Sequence, residues 1–146
     1  MDKQNTAEIG FQTAKKEIMK RGGTDVIDHK EGNKKFITFT GLDSKQYKVT
    51  SRSKKSGTWQ TTIAYGKSRN EKQNEDEFWL FIDITFNPPK FYPVPLWWIQ
   101  NNIHEAHQKY INKYDGHRKN NDNSNHDAVQ LRRIKKWENQ WSVMGI

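Results

Sequence analysis

The 146 residues carry 25 Lys and Arg against 17 Asp and Glu, a net charge of +8 with His neutral. That length suits one domain over residues 1–146, and 6 Trp, 5 Tyr and 7 Phe argue for a packed aromatic core rather than disorder. With no cysteine in the chain, disulfides, zinc ribbons, Cys-ligated iron–sulfur clusters and a cysteine nucleophile are excluded.

The opening Met1-Asp2-Lys3-Gln4-Asn5 leads into no apolar core of the kind a signal peptide has. A cytoplasmic protein is the expectation. Residues 6–21 read as a helix capped by Thr6, with Ile9, Ala14, Ile18 and Met19 as its apolar stripe and Arg21-Gly22-Gly23 as its stop. A short strand is predicted at 24–28 and a polar loop at 30–34. Residues 35–40 alternate Phe36, Thr38 and Thr40 against Ile37 and Phe39, a strand pattern. A turn at 41–44 leads to a strand at 46–53. A basic turn, Lys54-Lys55-Ser56-Gly57, leads to another strand at 58–65. The strands at 35–40, 46–53 and 58–65 are expected to form an antiparallel meander.

Residues 66–77 read as a polar connection. Phe78-Trp79-Leu80-Phe81-Ile82 is the longest apolar run, far short of the ~20 residues of a membrane span. It predicts a central strand over 78–86, buried on both faces. After the turn Asn87-Pro88-Pro89, residues 90–94 form a last strand, which Pro93 places at a sheet edge or strand end. Pro95 starts a helix over 96–114, with Trp98, Ile99, Ile103, Ala106, Tyr110 and Ile111 at helical spacing. Residues 115–126 read as an Asn-rich loop. Asp127 reads as the N-cap of a final helix over 128–143, with Leu131, Ile134, Trp137 and Trp141 on its apolar face.

The charge is unevenly spread. Residues 1–70 hold 15 Lys and Arg against 7 acids, while residues 71–146 hold 10 of each. Residues 44–69 contain Lys45, Lys48, Arg52, Lys54, Lys55, Lys67 and Arg69 with no acid, interleaved with Tyr47, Trp59 and Tyr65. Such a stretch attracts polyanions, because Lys and Arg contacts to phosphate supply most non-specific nucleic-acid affinity.

Three stretches carry a family resemblance: residues 49–60, with Arg52, the basic turn and Gly57-Thr58-Trp59; residues 78–95, from Phe78 through Asp83 to Pro89-Lys90-Phe91-Tyr92-Pro93-Val94-Pro95; and Trp97-Trp98 to His107 with Trp137-Glu138-Asn139-Gln140-Trp141. In these the chain resembles the PD-(D/E)xK, or restriction-endonuclease-like, superfamily, and within it small bacterial nuclease-like proteins with a degenerate catalytic motif. The resemblance implies an α+β (α/β) domain with a central mixed β-sheet, flanked by an N-terminal helix and two C-terminal helices. It implies nucleic acid, DNA first, as partner. Active members hold Mg²⁺ on an Asp and on a Glu, Asp or Gln two residues before a Lys. The metal activates the attacking water and the Lys stabilises charge on the phosphoryl group. Counting back from Trp59 as the resemblance implies, the Lys position is Arg52 and the carboxylate position is Thr50, and no acid lies in residues 35–37, where the upstream Asp belongs. Arginine there keeps a bidentate phosphate clamp. Threonine cannot offer Mg²⁺ a charged ligand.

A slipped register offers Gln46-Tyr47-Lys48, so Gln46 and Lys48 are the candidate catalytic residues of an active enzyme. Its metal would fall to Glu8 with Asp25 or Asp28, or to Glu31 from another place. Glu8 also reads simply as a first-turn acid favoured by the helix dipole. His104 and His107 have the i, i+3 spacing of some metal sites but no third ligand nearby. His117, Asn120 and His126 sit in the Asn-rich loop with spacing unlike that of HNH nucleases. Trp97-Trp98 reads as a core anchor, and Trp59 as either core or a base-stacking surface. Neither G-x-G-x-x-G nor a Walker pattern occurs.

The leading expectation is a nuclease-like domain that binds nucleic acid without cleaving it, with Lys48, Arg52, Lys54, Lys55 and Trp59 in contact and no cofactor. The alternatives are a Mg²⁺-dependent endonuclease and a protein-interaction module of a phage or plasmid. No membrane association is expected, and the oligomeric state stays open, a dimer included.

Overall fold

The computed structural model describes residues 3–69, 76–113 and 126–146. The chain is α+β. Helix α1 (Lys3–Lys20) is followed by β1 (Thr24–Glu31), β2 (Lys34–Thr40), β3 (Gln46–Lys54) and β4 (Trp59–Thr62). Then come β5 (Glu77–Asp83), β6 (Lys90–Pro95), α2 (Leu96–Lys113), β7 (His126–Val129) and the single turn α3 (Leu131–Ile134). Among the described residues no helix is long and apolar enough to cross a membrane.

A mixed five-stranded sheet runs β1-β2-β3-β5-β6, and β4 and β7 form a separate antiparallel pair. Strands β1, β2 and β3 are antiparallel neighbours, β3 and β5 are parallel, and β6 closes the sheet antiparallel to β5. The predicted meander is therefore shifted one strand toward the N-terminus. Glu31-Gly32-Asn33-Lys34 is a tight hairpin, with Gly32 at φ 61° and Glu31 opposite Lys34, so the expected loop at 30–34 is mostly strand.

Two cores lie on opposite faces of the sheet. On one, Phe11, Ala14 and Ile18 of α1 pack on Ile37, Phe39, Val49, Phe78, Leu80 and Ile82, joined by Trp141 and Met144. On the other, Ile99 and Ile103 of α2 pack with Trp59, Trp79, Phe81, Tyr92, Val94, Val129 and Ile134. Strand β5 feeds both cores from alternate residues, which is why its sequence is an unbroken apolar run. Strand β6 lies at an edge, where the sequence placed its proline.

Two expectations need correction. Residues 58–65 do not extend the meander. Only Trp59–Thr62 is strand, paired to His126–Val129, and Ile63–Tyr65 is a 3₁₀ turn. The final helix shrinks to Leu131–Ile134 followed by 3₁₀ turns at Lys135–Trp137 and Trp141–Met144. Asp127 does not cap a helix. It lies in β7 and accepts a two-pronged ion pair from Arg133, whose Nε also donates to Asn102.

Candidate nucleic-acid interface

The last β2–β3 pair is Ile37 with Val49, whereas β3 stays paired to β5 as far as Lys54 with Asp83. Beyond Val49 the two strands part. The gap is a cleft of about 660 Å³, walled by Ala7, Glu8 and Phe11 of α1, by the β1–β2 hairpin, and by Tyr65, Trp79 and Gln100. Thr50 and Arg52 line it, together with Lys48. These three share a face because side chains alternate along a strand.

The parallel register decides what each cation of β3 meets. Lys48 lies beside Glu77, Lys54 beside Asp83, and Arg52 beside Phe81. Lys48 Nζ is 3.8 Å from Glu77 and lies over the Phe36 ring. Lys54 Nζ is 3.0 Å from Asp83 with both side chains mostly buried. Burial works against the Asp83 charge, but hydrogen bonds from the Thr85 hydroxyl and N–H, with the Lys54 ammonium, hold its carboxyl below the ordinary carboxylate range.

Arg52 has no such partner. Its Cζ lies 4.1 Å from the Trp79 ring centre and 5.1 Å from that of Tyr65. Its Nε is buried without a hydrogen bond, and among the described residues the guanidinium meets no carboxylate. Aromatic packing fixes the group while its in-plane donors stay unused. A second hollow of about 690 Å³, lined by the basic turn and by Thr6, Ala7, Ser51 and Arg52, adjoins the first. Arg52 thus stands where the two meet.

The other expected site residues are scattered. Glu8 lines the cleft and is held by Lys35 Nζ at 2.9 Å and Gln12 Nε2 at 3.0 Å, bonds that keep its carboxyl below the usual value. Gln46 is exposed opposite Thr40, away from the cleft lining. Asp25 is exposed at the start of β1, and Asp28 pairs with Lys15 at 3.0 Å. Lys15 is seven residues along α1 from Glu8, roughly 10 Å by the helical rise. Lys55 is exposed and borders the second hollow.

Trp59 corrects the stacking expectation. It is 2% exposed, its Nε1–H donates to the Ile82 carbonyl at 3.1 Å, and its ring packs on Phe81 and Tyr92. No face is left for a base. Trp98 packs against Trp137 and the α2 core, as an anchor does. His117 and Asn120 lie outside the described residues, as do residues 70–75 of the polar connection and most of the Asn-rich loop.

Sequence reasoning missed Lys34 and Lys35, Glu77 and Gln100 as cleft residues, and Tyr65 and Trp79 as the Arg52 clamp. The hairpin signal Gly32-Asn33 was there to bring Glu31 and Lys34 together. The clamp had no local signal.

The donor set does not fit Mg²⁺, which needs several oxygen ligands held close together. Among the described residues no three His, Asp or Glu side chains come together to hold a metal ion. Thr50 supplies only a hydroxyl, and Glu8 is engaged by Lys35. What the cleft offers is one free, oriented guanidinium flanked by lysine–glutamate pairs, an arrangement suited to holding an anion. Comparison with family models, curated proteins and solved structures finds no match to this chain.

Proposed function

We propose that this domain binds nucleic acid, DNA first, through the cleft between β2 and β3, on a nuclease-like scaffold that does not cleave its ligand. The observation that carries the reading is Arg52: a guanidinium held on two aromatic rings, without an acceptor, at the meeting of two hollows. Its planar fork matches two phosphate oxygens. The family resemblance supports the same reading, since it sets Arg52 in the place of a phosphate-facing lysine and Thr50 in that of a metal carboxylate.

The test is a native gel of supercoiled plasmid with protein in low salt, with Mg²⁺ or with a chelator. The expected result is a retarded, uncut plasmid in both lanes. Metal-dependent nicking that disappears in Lys48→Ala overturns the non-cleaving part of the proposal. Neither retardation nor nicking overturns nucleic-acid binding and favours a protein partner.

Two variants extend the test. Arg52→Gln is expected to weaken binding about tenfold, the weight of one charge-assisted hydrogen-bonded contact. Lys55→Glu is expected to weaken binding across all sequences and to lower the slope of log affinity against log salt by ~1. Unchanged affinity in both variants, measured by fluorescence anisotropy, removes the cleft and the basic turn from the interface.

A further inference from the structure

We infer that the cleft receives an end of a nucleic-acid chain bearing a terminal phosphate, rather than a stretch of continuous backbone; this rests on the proposed function above.

The charge of the walls is the first reason. Apart from Arg52, the ionised groups lining the cleft are Lys34, Lys35 and Lys48 against Glu8, Glu31 and Glu77. They balance. A duplex carries one charge per ~1.7 Å of axis, and a run of it laid through this space would set phosphates against carboxylates. One anion placed on Arg52 avoids that. The carboxylates then suit the hydrogen-bond donors a terminal nucleotide brings, its base amino groups.

Size is the second reason. About 660 Å³ falls within the range of small-molecule pockets and matches one nucleotide unit, with the adjoining hollow of about 690 Å³ open to the chain that follows it. The third is the number of free cations. Lys35 is engaged by Glu8 at 2.9 Å, Lys48 is near Glu77 at 3.8 Å and Lys34 is exposed at the hairpin, which leaves Arg52 as the inner cation that meets no carboxylate among the described residues. A lone guanidinium discriminates best in favour of a ligand that concentrates charge at one point. A phosphomonoester carries about −1.5 to −2 at pH 7, with a second pKa near 6, against −1 for an internal diester.

The experiment is fluorescence anisotropy with one single-stranded DNA sequence in four forms: 5′-phosphorylated, 3′-phosphorylated, hydroxyl at both ends, and ligated into a circle. One phosphorylated form is expected to bind about tenfold more tightly than the hydroxyl form and the circle. That preference is expected to shrink as pH falls through about 6, where the monoester loses its second charge and internal diesters do not change. Arg52→Lys, which keeps the charge and loses the fork, is expected to abolish the preference while its melting temperature confirms folding.

Equal binding of all four forms overturns this inference and leaves nucleic-acid binding standing. Binding of none of them overturns both. The four-form comparison uses the unsubstituted protein, so it decides the question whatever Arg52→Lys does to folding.

Discussion

Alanine in place of Gly10 is expected to destabilise the protein by about 2–3 kcal/mol, although alanine is the better helix former by ~1 kcal/mol. Gly10 is buried where α1 crosses β3. A Cβ there would lie 1.5 Å from Ser53 Oγ and 2.6 Å from Ser53 Cβ. Rotating the serine moves its hydroxyl but not its Cβ, so helix or strand must shift. At this chain length the loss corresponds to a melting point lower by roughly 6–10 °C. Ser53→Gly removes both obstructing atoms, and the double variant is expected to melt above Gly10→Ala alone, with a coupling of more than about 1 kcal/mol. A Gly10→Ala protein that melts at or above the parent refutes the close crossing. The consequence reaches the cleft, because Ala7, Glu8 and Phe11 on either side of Gly10 form its α1 wall. The same variant is therefore expected to bind nucleic acid less tightly.

The sequence made the strands of the sheet legible because each carries a local signal. Residues 35–40 alternate, β5 is unbroken and apolar, Pro93 marks the edge and Pro95 precedes α2. What stayed hidden depends on partners far along the chain. The alternation in Trp59–Thr62 says that one face is buried but not which strand lies beside it, and the partner is His126–Val129. Of the predicted α1 stripe, Ala14 and Ile18 are buried and Ile9 and Met19 are exposed, while Phe11, outside that stripe, is a buried anchor.

The C-terminal segment shows why spacing alone misleads. Leu131, Ile134, Trp137 and Trp141 repeat as a helix would, yet Ile134 joins the α2 core and Trp141 the α1 core on the other face of the sheet. The chain crosses the β6 edge between them. The Asn139 N–H donates to the Phe91 carbonyl at 2.9 Å, and Asn139 adopts a left-handed φ of 56°. A straight helix cannot reach both cores. The site was half legible for a related reason. Residues 44–69 have no acid in sequence, but Glu77 and Asp83 on β5 come alongside Lys48 and Lys54 through the parallel register. Of the three cations on β3, Arg52, with Phe81 beside it, is the one whose charge β5 leaves unmatched.

That pairing makes Lys54 a structural residue, and reversing its charge is expected to cost more than 3 kcal/mol. Lys54→Glu would set a carboxylate where an ammonium now lies 3.0 Å from Asp83, with the two side chains 14% and 9% exposed. Breaking a buried pair by changing one partner leaves the other charge uncompensated, at about 3–5 kcal/mol. Lys54→Met is expected at the lower end, since Thr85 still donates to Asp83. Asp83→Asn in the Lys54→Met background is expected to recover most of the loss, because no net charge then remains buried. The pH dependence follows from the same group. Its folded carboxyl lies below the unfolded value of ~3.9, so its contribution is complete above about pH 5 and is lost as pH falls through the folded value. Melting curves between pH 7 and pH 2 are expected to show this acid loss in the parent and a shallower one in the Lys54→Met, Asp83→Asn double variant. Parallel curves would mean that Asp83 is not the group responsible. A DNA-binding defect in Lys54→Glu is then a folding defect first, which is why Lys55, exposed and outside the pair, is the residue whose charge reversal reads the interface.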